Sequence, residues 1–205
     1  MDGIVYFAVY DTLADWEIGY AMSGIADPDF QRQPGRYSVR TVSTGRDPVT
    51  TMGGLRIVPD VTLDEVDPPS SAMLVLAGNN IWPTEAFTPF TDKAREFLDA
   101  GVPVAAMCGA TGGLARAGLL DDHAHTSNAR EFLESVGYGG AHLYRDDLAV
   151  TDRDLLTASG IAPVEFARAI FERLDLYTPE VLTAWYKLYG EHDPSGYYEL
   201  TAHEG

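Results

Sequence analysis

Hydrophobic positions along this chain fall into short solid runs separated by amphipathic stretches. Residues 4–10 (IVYFAVY), 72–77 (AMLVLA) and 102–107 (VPVAAM) are almost wholly apolar, which predicts strands buried on both faces. Tyr37–Ser43 alternates as a half-buried strand does, and residues 55–58 form a short strand entered through Met52-Gly53-Gly54. Residues 59–66 read as a loop running into a turn of helix. Between the strands lie helical patterns at residues 14–25, 89–100, 110–117 and Pro163–Leu174. Asp27-Pro28 closes the first; Thr88 as N-cap, Pro89 at the first helical position and Gly101 bound the second. Residues 129–136 are amphipathic, and residues 149–151 and Leu155–Ala158 are short strands. Thr178-Pro179-Glu180 opens a last helix carrying Val181, Leu182, Trp185, Leu188 and Tyr189. Its aromatics Trp185, Tyr186 and Tyr189 read as core or dimer packing rather than as a ligand cage. The tail from Glu191 is polar and reads as irregular, with Tyr197, Tyr198 and Leu200 available to dock.

Buried strands alternating with amphipathic helices predict an α/β fold, a mostly parallel sheet with helices on both faces. No repeat or linker interrupts the pattern, so one domain is expected over residues 1–190, followed by a polar tail over 191–205. Ligands in such folds bind beyond the carboxyl ends of the strands, which points to the segments after Tyr10, Ala77 and Met107.

Composition narrows the partners. Lys and Arg total 14 against 31 Asp and Glu, a net charge of -17. That balance argues against a nucleic-acid partner, which needs a basic face, and against an anionic membrane surface. No apolar run approaches the roughly 20 residues that span a bilayer. The opening MDGIVYFAVYD has no basic segment ahead of a long apolar one, so no signal peptide and a cytoplasmic location are expected. Cys108 is the sole cysteine, which excludes an internal disulfide and zinc sites built on several thiolates. His123 and His125 beside Asp121 and Asp122 read as a polar strand rather than a metal site, and no metal or cofactor is expected.

Cys108 lies directly between a buried strand and a helix, with small residues Ala106, Gly109 and Ala110 around it. A sharp strand-to-helix turn projects such a side chain into the cleft and requires small neighbours. The helix N-terminus points at the sulfur, which is expected to lower the thiol pKa. The N–H groups of Gly109 and Ala110 are placed to hold an oxyanion. Read without further context, Cys108 stands evenly between such a nucleophile and a buried small hydrophobe.

The segments AAMCGATGGLARAGLLDD, HTSN and DLLTASGIAPVEFARAIFERL, with YFAVYDTLADWE and VLAGNN upstream, resemble the ThiJ/PfpI superfamily of the class I glutamine amidotransferase-like fold. The resemblance covers nearly the whole chain. It implies a flavodoxin-like three-layer sandwich, usually a homodimer or larger assembly, and Cys108 as the elbow nucleophile. It also implies that Glu17 of Asp15-Trp16-Glu17 contacts the cysteine. A carboxyl group beside a thiolate is expected to have a raised pKa, to stay protonated and to donate a hydrogen bond to sulfur. Gly78-Asn79-Asn80 resembles the family's glycine turn that supplies an oxyanion N–H. Asn128 stands where the family often has a histidine; asparagine hydrogen-bonds but takes no proton at neutral pH. His125, in another register, and Asp11, at the end of the first strand, are further candidates for the cleft.

The expected function is therefore a cysteine-dependent enzyme acting on a small carbonyl, amide or isonitrile-like molecule, as a hydrolase or amidase, a hydratase, or a glyoxalase-like lyase. Glutaminase and protease chemistry are disfavoured by the missing histidine. The alternative is a non-catalytic redox or stress-response protein using the same thiol.

Overall fold

The computed structural model describes residues 3–79 and 81–202. Asn80, from the expected glycine turn, and residues 203–205 of the tail lie outside the described residues. Seven strands form the main sheet: β1 (Gly3–Ala8), β2 (Tyr37–Ser43), β5 (Val61–Thr62), β6 (Ser71–Leu76), β7 (Val104–Met107), β8 (Ala149–Asp152) and β9 (Leu155–Ala158). Their order is β5-β2-β1-β6-β7-β9-β8, parallel throughout except for the antiparallel β8–β9 pair at one edge. The chain winds outward from β1 to β2, then returns to lay β6 on the other side of β1. The crevice beyond the carboxyl ends of β1 and β6 is the switch point where an open α/β sheet binds ligands.

Helices α1 (Asp15–Ala26) and α5 (Pro163–Leu174) pack on each other, as do α2 (Thr88–Asp99) and α3 (Gly109–Arg116). These helices on the two faces make the expected three-layer sandwich. The central strands are buried on both faces: Val5, Phe7, Met73, Leu74, Val75, Val104 and Ala105 are fully enclosed. Phe97, Phe166 and Phe171 close the core from the helices. The remaining helices are α4 (Arg130–Glu134), α6 (Pro179–Tyr189) and α7 (Ser195–Thr201). The hydroxyl of Thr178 caps α6 by accepting from the Val181 N–H at 3.3 Å.

Several departures from the sequence expectation have simple causes. Pro103 has no N–H for the ladder, so the strand expected over 102–107 begins at Val104. Thr88 is already helical, because a 3-10 turn at Glu85–Phe87 runs straight into α2, so it is not the cap. The strand expected at 55–58 is one half of a hairpin, β3 (Val49–Thr50) with β4 (Arg56–Ile57), turning through Gly53-Gly54. The segment expected to be a loop into a helical turn begins with β5 on the edge beside β2 before its 3-10 turn at Leu63–Glu65. The tail expected to be irregular folds as α7 against α6, held by buried Leu200.

Candidate active site

Four adjacent strand ends deliver the site. After β1 the chain turns into α1, whose first turn carries Glu17; after β6 comes Gly78; after β7 comes Cys108; after β9 come Ser159 and Gly160. Cys108 is a sharp elbow with φ 57 and ψ -126, a left-handed backbone that a side chain tolerates only when its surroundings fix it. Its N–H donates to the Ala158 carbonyl at 3.0 Å, continuing the ladder to β9. Its carbonyl accepts from the Thr111 hydroxyl at 2.6 Å, and that hydroxyl shares a 2.7 Å bond with the Ser127 hydroxyl. The elbow is thus tied to the segment that ends in Asn128.

Glu17 is almost wholly buried, at 1% exposure. Its Oε2 accepts from the Gly78 N–H at 2.5 Å. Its Oε1 has no hydrogen-bond partner of good geometry among the described residues. That oxygen and the thiol converge on one point: a side chain begun at Gly78 would lie 2.9 Å from Sγ and 3.0 Å from Oε1. Only glycine leaves room for the two groups to approach. Gly160 closes the other side, since a Cβ there would lie 2.8 Å from Sγ.

Asn128 completes the ring. Its Oδ1 accepts from the Gly160 N–H at 2.8 Å, which fixes the orientation of the amide. Its Nδ2 is therefore the end that faces Cys108, 3.3 Å from Sγ. So oriented, Asn128 donates to sulfur and has no basic atom to offer.

The electrostatics follow from burial. Desolvation holds the Glu17 carboxyl above its ordinary value, against the opposing pull of the Gly78 N–H and the thiol. Desolvation first, then the Glu17 charge, push the Cys108 thiol up to about 11, while Asn128 and the Gly109 N–H pull the other way. This reverses the lowered thiol pKa expected from the helix N-terminus: enclosure and a carboxylate neighbour outweigh one helix end. A thiol starts well above a carboxyl, and burial raises both, so their order is kept. Pushed up to about 11, the thiol keeps its proton at neutral pH, and the raised carboxyl is shifted in the same sense, toward its protonated form.

The oxyanion donors divide. The Gly78 N–H is committed to Glu17. The Gly109 N–H faces the sulfur, and those of Ala110 and Asn79 meet no acceptor among the described residues. The Asn79 side chain is occupied in its own loop, accepting from the N–H groups of Ile81 and Trp82 at 3.0 Å and donating to the Asp11 carbonyl at 3.2 Å. The Asp11 carboxylate accepts from Thr50 at 2.8 Å, stapling the β3–β4 hairpin beside the cleft. His125 is not brought to the thiol: it is fully buried, with ring nitrogens 2.7 Å from the His123 carbonyl and 3.0 Å from the Tyr138 hydroxyl. Burial lowers its pKa and keeps it neutral. Among the described residues no three His, Cys, Asp or Glu side chains stand together as a metal cluster. Nor is any helix among them long and apolar enough to cross a membrane.

Sequence reasoning missed Gly160 and the Thr111–Ser127 pair. Gly160 follows β9 as Gly78 follows β6, so the strand-end rule would have found it.

Residues 4–173 match the DJ-1/PfpI family. "Uncharacterized protease YoaZ" of Bacillus subtilis (strain 168) is 39% identical over 199 residues, 96% of this chain and 95% of that protein. The crystal structure of a thiJ/pfpI family protein from Bacillus anthracis superposes with a TM-score of 0.93 at 37% identity, covering 98% of this chain and 97% of the other. The DJ-1 superfamily protein Atu0886 of Agrobacterium tumefaciens gives 0.81 at 32% identity, covering 93% and 99%.

Proposed function

The chain belongs to the DJ-1/PfpI family, and from that premise we propose that it is a cysteine-dependent enzyme adding its thiol to a small carbonyl compound, in hydratase or glyoxalase-like chemistry. The observation that carries this is the composition of the ring around Cys108: one buried carboxyl, one amide locked as a donor, and no imidazole hydrogen-bonded to the thiol among the described residues. Sulfur attacks the carbonyl carbon as its proton passes to Glu17. The carbonyl π-pair becomes an alkoxide held by N–H groups at the start of α3, and the Glu17 proton then neutralises it to a hemithioacetal. A carboxyl raised by burial suits both transfers. Peptide cleavage needs a group that protonates a leaving amine, usually histidine, and Asn128 cannot do so.

The test is turnover on a panel of small aldehydes and ketoaldehydes with wild type, Cys108→Ser and Glu17→Gln. Both substitutions are expected to abolish it. Undiminished turnover in both variants overturns the proposal. So does an inert wild type whose mass rises by two oxygens at Cys108 under mild peroxide, which selects redox sensing instead.

A further inference from the structure

One cavity has a lining that does not include Cys108. It has a volume of about 530 Å3 and opens between α1, the loop after it and the C-terminal helices. That size falls within the small-molecule range. Its walls are aromatic. Tyr20, Trp185 and Tyr189 meet edge to face or tilted, with centroids 5.2–6.0 Å apart and the Tyr20 and Trp185 planes at 89°. Trp16 and Phe30 line it further. Trp16, Tyr20 and Tyr189 are 52%, 38% and 39% exposed, so three large aromatic side chains in its wall are open to solvent. Tyr186, grouped with Trp185 and Tyr189 as packing from sequence, turns elsewhere: it donates to Glu165 at 3.1 Å beneath the Arg168 guanidinium.

Charge distinguishes this cavity from an ordinary packing defect. Asp27 and Asp29 lie on its rim and no Lys or Arg lines it. Neither carboxylate forms an ion pair among the described residues, and the nearby Arg32 is bound to Asp175 at 2.5 Å. The rim is also preorganised. The Gln31 amide donates to the carbonyls of Gly24, Ile25 and Asp27 at 3.0, 3.1 and 2.6 Å, and Phe30 is held at φ 63. Aromatic rings and carboxylates without an ion-pair partner attract the same thing, a weakly hydrated positive charge with an apolar body.

We propose that this cavity binds a small organic cation, an alkyl or aryl ammonium. The test is titration of the full chain with benzyltrimethylammonium, followed by tryptophan fluorescence and calorimetry, alongside choline and its neutral isostere 3,3-dimethyl-1-butanol. Saturable binding of the cation is expected. The neutral isostere, the double variant Asp27→Asn/Asp29→Asn and the Tyr20→Leu variant should each bind about tenfold more weakly than their counterparts. Cys108→Ser should bind as wild type does, and circular dichroism melts confirm that the variants fold. Equal affinity for choline and its isostere, or no saturation by benzyltrimethylammonium, overturns the proposal. So does a dimer in sedimentation that Tyr20→Leu dissociates, because a second copy then covers this face.

Discussion

Replacing Glu17 by Gln removes a negative charge from beside the thiol while preserving shape and an acceptor for the Gly78 N–H. Sγ and Oε1 lie 2.9 and 3.0 Å from one common point, so they are separated by at most about 6 Å. Two unit charges at that distance, at an effective dielectric of about 20, repel by about 3 kcal/mol, equivalent to about 2 pKa units. The thiol, pushed up to about 11 in wild type, should therefore titrate at about 9 in the variant. Ultraviolet absorbance of the thiolate and the pH dependence of iodoacetamide alkylation measure it directly. A second variant, Glu17→Leu, removes the charge without supplying an amide donor and should move the titration the same way. A thiol that stays at its wild-type value, or rises, in both variants would mean that Glu17 is neutral where the thiol ionises. The like-charge argument would then fail.

Other consequences follow from the same contacts. Asn128→Leu deletes the donor to sulfur, so the thiol pKa should rise further and turnover should fall by about 10–100-fold, as loss of a hydrogen bond to a charge implies. Gly160→Ala drives a methyl to 2.8 Å from Sγ and 3.1 Å from Asn128 Oδ1; activity should collapse and urea unfolding should show a loss of about 1–3 kcal/mol. Glu17 itself has a linkage signature. Its folded pKa is raised, so the stability it contributes is present below the ordinary carboxyl value and lost as pH rises through the raised one. Melting temperatures of wild type and Glu17→Gln should converge in acid and separate above that range, with the variant more stable at neutral pH.

Much of the architecture is legible in hydrophobic patterning because the central strands are buried on both faces. Tyr37–Ser43, Leu155–Ala158 and Pro163–Leu174 have the same bounds in sequence and structure. The edges are harder to read. A two-residue strand such as Val61–Thr62 carries no period, and α7 is polar enough that only Leu200 anchors it. In the site, Cys108 is marked locally by its strand-to-helix junction. Nothing local marks Glu17 as buried; it looks like any exposed helix carboxylate, and only the family resemblance singles it out. The thiol's raised pKa was unreadable for a related reason. A helix end is visible in sequence, whereas desolvation and a carboxylate brought from another helix exist only in three dimensions. The same holds for the Gly78 N–H, expected to serve an oxyanion but engaged by Glu17.

The delivery of the site by four neighbouring strand ends bears on how the chain acquires activity. Residues 17, 78, 108, 128 and 160 meet only when β1, β6, β7 and β9 are in register, and the last of these strands is made late in synthesis. Neither a nascent chain lacking Gly160 nor a partly opened sheet holds the Asn128 amide against sulfur. The reactive arrangement therefore reports on completed folding, and catalytic competence should appear in the same cooperative step as the closed sheet.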